Sequence, residues 1–198
     1  PHTVKEIPQH YADSQSYQMV CGYRKKLTLD PTLAGKRLFV QFDGAAHIAQ
    51  VYLNGALICE HRCGYTAFRA ELTDALDWAV ENILAVRLDS TENAAIPPFG
   101  FVIDYLTYGG LYREAWLDVR SENYIEDVFV TTPTTASFTA AVRTSAPEGS
   151  VLVTVEDMAG RVLAQGEGRD VRLDVPSAQP WDTVHPNLYL CRAVLRGD

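Results

Sequence analysis

The stretch Leu38-Phe39-Val40-Gln41-Phe42-Asp43-Gly44, followed by Ile48-Ala49-Gln50-Val51-Tyr52-Leu53-Asn54-Gly55, decides the fold class of this chain. In the first run Leu38, Val40 and Phe42 alternate with Phe39, Gln41 and Asp43, the two-residue period of a strand with one buried face. The second run ends on Asn-Gly, the pair that supplies the positive φ values of a type I′ hairpin turn. Outward from this centre the pattern repeats. Short β-branched or aromatic runs bounded by turn residues mark strands at 23–29, 83–89, 115–120, 125–131, 138–144, 151–156, 161–165, 171–175 and 188–195. Only 71–80 reads as helical: Thr73 or Asp74 is available as a cap, with Leu76 and Val80 at i, i+4, and the expectation is a short surface turn. The whole is an all-β pattern of sandwiches.

Size and charge set the frame around these strands. The chain has 198 residues, with 17 Lys+Arg against 25 Asp+Glu and a formal net charge of −8. Its 47 % hydrophobic and 21 % charged residues supply a packed core and exclude wholesale disorder. A boundary is expected near Glu122, where Ser121-Glu122-Asn123 separates the strand at 115–120 from a fresh set of shorter ones. The expected domains are 1–122 and 123–198. The second has turn signals at Ala146-Pro147-Glu148-Gly149 and Asp157-Met158-Ala159-Gly160, spaced as in a small immunoglobulin-like sandwich. Neither part carries a basic surplus, which argues against nucleic acid and anionic membrane surfaces as partners. No apolar run approaches the roughly 20 residues of a membrane-spanning helix. The first residues lack the basic and apolar regions of a signal peptide, so the compartment stays open with cytoplasm favoured.

Cysteine and histidine point to no metal or cofactor. Cys21, Cys59, Cys63 and Cys191 read as ordinary free thiols in a chain too large to need staples. Cys59-Glu60-His61-Arg62-Cys63 has the look of a metal cluster, but structural zinc needs four converging ligands and no second pair is present. His2, His10, His47, His61 and His185 stand in no nucleophilic triad context. Neither a Gly-x-Ser-x-Gly elbow nor a phosphate loop or dinucleotide fingerprint occurs.

The stretch from Ser90 to Glu114 breaks the regular strand pattern. It has two prolines and a Gly-Gly pair, yet also Phe99, Phe101, Tyr105, Tyr108 and Tyr112. Connections this long inside a compact domain are uncommon and are usually functional or disordered, and the aromatic content argues against disorder. Aromatic faces cover the apolar faces of sugar rings, and a carboxylate such as Asp104 accepts hydrogen bonds from hydroxyls. From composition alone a second reading competes and is preferred: the aromatics plug the end of the sandwich and Asp104 satisfies backbone amides before Gly109-Gly110.

Four motifs in order then carry a resemblance: Phe39-Val40-Gln41-Phe42-Asp43-Gly44, Val51-Tyr52-Leu53-Asn54-Gly55, His61-Arg62-Cys63-Gly64-Tyr65-Thr66-Ala67-Phe68 and Tyr108-Gly109-Gly110-Leu111-Tyr112-Arg113-Glu114. Together they resemble the N-terminal sugar-binding domain of glycoside hydrolase family 2, the family of β-galactosidases, β-glucuronidases and β-mannosidases. Pro1-His2-Thr3 is similar to the segment leading into that domain. Trp181 with His185-Pro186-Asn187-Leu188-Tyr189 is similar to a motif near the end of the family's immunoglobulin-like second domain. The resemblance implies a jelly roll followed by a smaller sandwich that lacks its last strand, leaving an exposed sheet edge near the C-terminus. It also implies a substrate contact at Asp104, which matches in spacing the acidic residue by which the family's first domain reaches the substrate pocket. Pro97-Pro98-Phe99-Gly100 and Ile103-Asp104-Tyr105 look like the β-galactosidase-like branch. Arg113, a planar fork of donors, reads as a structural clamp on loop carbonyls or a carboxylate. Cys63 stands where the family usually has Gly.

The family's chemistry requires two carboxyl groups flanking the glycosidic bond, about 5–5.5 Å apart in retaining enzymes. In the family these are glutamates of a barrel that follows the second sandwich, and nothing in the chain alternates strand and helix as a barrel does. Glu126-Asp127 and Glu156-Asp157 do not replace them, because adjacent residues of a strand point to opposite faces, and both pairs read as solvated surface. The expectation is therefore the non-catalytic front portion of a β-galactosidase-like hydrolase, inactive alone, with a glycoside as partner of the complete enzyme. A stand-alone carbohydrate-binding module is the alternative.

Overall fold

The computed structural model describes residues 18–97, 99 and 109–197. The chain divides into two compact units, Pro1–Arg120 and Ser121–Asp198. Both are β-sandwiches. Helical structure among the described residues is limited to two three-residue 3-10 turns, Pro31–Leu33 and Thr73–Ala75, and no helix is long and apolar enough to cross a membrane.

The first unit comprises β1 (Val20–Leu27), β2 (Arg37–Phe42), β3 (Ala45–Ala46), β4 (Ile48–Leu53), β5 (Ala56–Arg62), β6 (Phe68–Glu71), β7 (Asn82–Asp89), β8 (Gly110–Leu111) and β9 (Ala115–Arg120). One antiparallel sheet runs β1-β7-β4-β5, a second runs β6-β2-β9, and β3 pairs with β8. This is the jelly roll. Its core forms where the inward faces meet: Leu38, Val40 and Phe42 of β2, Ala49, Val51 and Leu53 of β4, and Leu84, Val86 and Leu88 of β7 are all buried. Burying each of the larger of these side chains stabilises the fold by about 1.5–3 kcal/mol.

The β4–β5 hairpin closes as its Asn-Gly pair predicts, with Asn54 at φ 52° and Gly55 at φ 88°. The Asn54 side chain adds what the dipeptide alone does not reveal. Its Oδ1 accepts from the Ile83 amide at 2.8 Å and its Nδ2 donates to Asn82 Oδ1 at 2.7 Å, fastening the turn to the start of β7.

Two local expectations change. The helical stretch at 71–80 reduces to the single turn Thr73–Ala75, capped by Leu72 without a side-chain bond. Leu72 is wholly buried, so core packing sets the start of the turn, and the Thr73 hydroxyl is used elsewhere, accepting from the Leu38 amide at 3.0 Å. Phe39, on the face of β2 away from the core, is only 3 % exposed. The guanidinium carbons of Arg69 and Arg120 lie 5.0 and 5.9 Å from its ring centroid, a cation–π cover drawn from both flanking strands.

The second unit comprises β10 (Ile125–Thr134), β11 (Ser137–Thr144), β12 (Ser150–Asp157), β13 (Val162–Glu167), β14 (Asp170–Asp174) and β15 (Tyr189–Arg196). Its sheets run β10-β11-β14 and β13-β12-β15 around Val142, Val151, Val153, Val155, Leu173 and Val175, an immunoglobulin-like sandwich. β15 pairs with β12 on one side and forms a sheet edge among the described residues. Arg169 holds the turn after β11: its Nε donates to Thr144 Oγ1 at 3.1 Å and its Nη2 to the Pro147 carbonyl at 2.7 Å.

The acidic pairs depart from a solvated surface. Glu156 is 8 % exposed and accepts two bonds from Arg192, at 3.0 and 3.2 Å, with a third from the Thr154 hydroxyl at 3.0 Å. These bonds, Arg192 first, hold its carboxyl below the ordinary glutamate range. Glu126 and Asp127 both reach Arg143, at 3.1 and 3.8 Å. The β10–β11 register shifts between Ile125 and Asp127, and this irregularity breaks the strict alternation that would separate the two carboxylates.

Candidate functional site

The candidate site is the end of the jelly roll from which the Ser90–Glu114 connection departs and to which it returns. Asp104 lies outside the described residues, as do Phe101, Tyr105 and Tyr108. The structure therefore defines the frame on either side of them.

The departing end is fixed by a serine and a turn. Ser90 follows β7 directly and is fully buried, and its hydroxyl donates to the Met19 carbonyl at 2.9 Å while the Ser90 amide donates to the same carbonyl at 3.0 Å. Asp89 Oδ1 accepts from the Thr91 amide and hydroxyl at 3.1 and 2.6 Å. Asn93 and Ile96 form an isolated bridge, and Ile96 is buried. Four residues after Ser90, backbone turn chemistry has given way to an apolar anchor two positions further on.

The returning end is fixed by glycine and tyrosine. Gly110 takes φ 87° and pairs with Ala46, while Leu111 pairs with Ala45 and donates its amide to the Tyr23 hydroxyl at 3.1 Å. The positive φ explains why glycine serves at 110. Tyr112 follows, and its hydroxyl donates to the Gly64 carbonyl. Its ring lies so close to Gly44 that a Cβ there would stand 2.8 Å from the ring, which accounts for the glycine of Asp43-Gly44. Arg113 has a role different from a carbonyl clamp: among the described residues its guanidinium lies over the Tyr112 ring, 5.7 Å from the centroid.

His47 sits between these two ends. It is 5 % exposed, its amide donates to the Asp89 carbonyl at 3.0 Å, and its Nδ1 is buried without a hydrogen-bond partner. A Cβ on Gly64 would lie 3.0 Å from that Nδ1. Burial pushes the imidazole below its ordinary pKa, with the Asp89 carboxylate acting in the opposite direction. Neither His47 nor Tyr112 stood out as a site residue in the sequence. A lone histidine in Ala-Ala-His-Ile and a tyrosine after Gly-Gly-Leu gain meaning only from contacts across the fold.

The Cys59–Cys63 cluster separates. His61 stacks on Phe68 at 4.3 Å between centroids and meets Thr66 Oγ1 at 2.9 Å, while the Cys59 thiol points to the Arg69 carbonyl at 3.9 Å. The Thr66 hydroxyl, followed by the Tyr65 backbone, draws the Cys63 thiol below its ordinary pKa. Among the described residues no three His, Cys, Asp or Glu side chains are grouped to hold a metal ion.

Comparison with known proteins places this frame in context. Residues 7–98 match the family described as glycosyl hydrolase 2 galactose-binding domain-like. A β-galactosidase of Thermoanaerobacter pseudethanolicus is 38 % identical over 130 residues, 65 % of this chain and 18 % of that protein. A β-galactosidase of Rhizobium meliloti is 32 % identical over 212 residues, 96 % of this chain and 27 % of that protein. The chain thus spans less than a third of either relative. The crystal structure of a Ruminococcus gnavus β-glucuronidase superposes with a TM-score of 0.80 at 21 % identity, covering 98 % of this chain and 36 % of that one, a likeness of fold.

Proposed function

The chain belongs to glycoside hydrolase family 2 and matches the family's N-terminal, non-catalytic region, and from that premise we propose that it serves a retaining β-galactoside hydrolase as one wall of the sugar pocket. The observation that carries the reading is the frame around the Ser90–Glu114 connection. Buried Ser90 and Ile96 on one side, and the Gly110 bridge with Tyr112 on the other, tie both ends to one end of the jelly roll. A carboxylate carried between two fixed ends loses less conformational entropy on meeting a ligand than one on a free loop.

In this reading Asp104 is the contact residue. An aspartate is ionised at neutral pH, and its oxygens accept hydrogen bonds from sugar hydroxyls. It orients the ring and takes no part in proton transfer. The two carboxyl groups that protonate the leaving oxygen and attack the anomeric carbon come from the remainder of the complete protein, held about 5–5.5 Å apart as a retaining mechanism requires. Galactoside is the preferred substrate class because the two relatives above are β-galactosidases.

The test is the Asp104→Ala variant of the complete protein assayed on an aryl β-galactoside. A charged hydrogen bond is worth roughly 1.5–3 kcal/mol, so kcat/KM falls about ten- to a hundredfold. Unchanged kinetics would remove Asp104 from the pocket and return it to a structural role.

A further inference from the structure

The jelly roll is open along one side, and the register shows which strand is left uncovered. In the β2–β9 pairing Val119 stands opposite Leu38, Leu117 opposite Val40 and Ala115 opposite Phe42. Directly paired residues share a face, so these β9 side chains point with the core residues of β2. Their burial differs sharply. Leu38, Val40 and Phe42 are 0 to 6 % exposed, whereas Leu117 and Val119 are 36 and 40 % exposed. A groove of about 350 Å³ runs between β9 and β1, with Val40, Phe42, Leu84 and Val86 as its floor. β1 pairs with β7 alone and β9 with β2 alone, so main-chain groups on both rims lack a sheet partner among the described residues.

An apolar groove bordered by a free strand edge has the features of β-strand addition: backbone bonds supply the pairing and alternate side chains enter the groove. We propose that this groove seats one further β-strand, supplied by polypeptide of the same protein outside residues 1–198, which pairs with the free edge of β9. The sheet β6-β2-β9 has three strands against four in its partner, and the addition makes the two layers equal. The rim specifies the occupant further. Arg24 and Lys25 of β1 line the groove and make no ion pair among the described residues, so the strand is apolar at alternate positions and acidic where it passes them. The same polypeptide is the source because this chain covers 96 % of its own length but only 27 % of the Rhizobium meliloti relative, which leaves ample chain elsewhere in a protein of that size. The inference rests on the chain being part of a longer protein and is independent of which glycoside is hydrolysed.

Hydrogen exchange read by mass spectrometry tests it, comparing the 198-residue chain with the complete protein. Amides of Ala115–Arg120 should exchange at least tenfold more slowly in the complete protein. The isosteric Val119→Thr variant should leave Tm within about 2 °C in the 198-residue chain and lower it by about 4 °C or more in the complete protein, where the hydroxyl becomes buried without a partner. Equal exchange in both forms, or full protection already present in the 198-residue chain, overturns the proposal. Protection that appears only as the protein dimerises in sedimentation overturns it in favour of a second copy. Protection of β9 in a complete protein that fails to cleave galactosides would sink the functional reading above and leave this one standing.

Discussion

Tyr112 and His47 show how single residues hold the candidate site. The Tyr112 hydroxyl reaches the Gly64 carbonyl across 48 positions of sequence, and the buried Nδ1 of His47 faces the same glycine. This arrangement has a pH signature. Burial lowers the folded pKa of His47, so the unfolded chain takes up its proton at a higher pH than the folded one. Where the unfolded state binds more protons, stability rises with pH. Stability should therefore be intact above the ordinary histidine value of about 6.5 and decline as pH falls below it. Thermal unfolding of the wild type and His47→Gln from pH 7.5 to 5.5 checks this: the variant should show a flatter dependence, and equal slopes would assign the effect elsewhere. Glu156 has its own window. Its depressed carboxyl contributes stability that is lost only as pH falls below about 4.3, so the two effects do not overlap.

At the scale of elements, the β4–β5 hairpin was the most legible feature and also the one that held a hidden contact. Asn54-Gly55 specifies the turn through φ alone, yet the Asn54 amide also fastens Asn82 and Ile83 at the start of β7. Asn54→Ala removes two hydrogen bonds and places alanine at positive φ, at a combined cost of about 2–3 kcal/mol. Urea unfolding measures it; a loss under about 0.5 kcal/mol would mean that the side-chain bonds contribute nothing net. The strands with clean alternation, such as β4 and β7, were readable from sequence, while β5, β6 and the β3–β8 pair were not among those marked. β5 carries Ala-Leu-Ile-Cys-Glu-His-Arg, and a register shift in its pairing disrupts the period. β6 is four residues long, and β8 is two residues whose pairing depends on a partner more than sixty positions away. Local periodicity carries no signal for elements that short.

For the whole molecule, two sandwiches without a barrel predict recognition without chemistry. The 198-residue chain should give no hydrolysis of an aryl β-galactoside, and the complete protein should turn it over; enzymatic turnover by the purified short chain, surviving contamination controls, would defeat the proposed division of labour. Alternation, turn dipeptides and the order of four motifs determined the all-β class, the sequence of jelly roll then immunoglobulin-like sandwich, and the family. These are legible because strand period and turn chemistry are properties of adjacent residues. Tertiary structure alone decided that Phe39 lies between two guanidiniums, that Glu156 is enclosed by Arg192 and Thr154, and that His47 is buried between the ends of the Ser90–Glu114 connection. It alone left the inward face of β9 open. Burial and charge pairing depend on which distant residues arrive in the same place, and a linear pattern does not encode that meeting until the chain has folded.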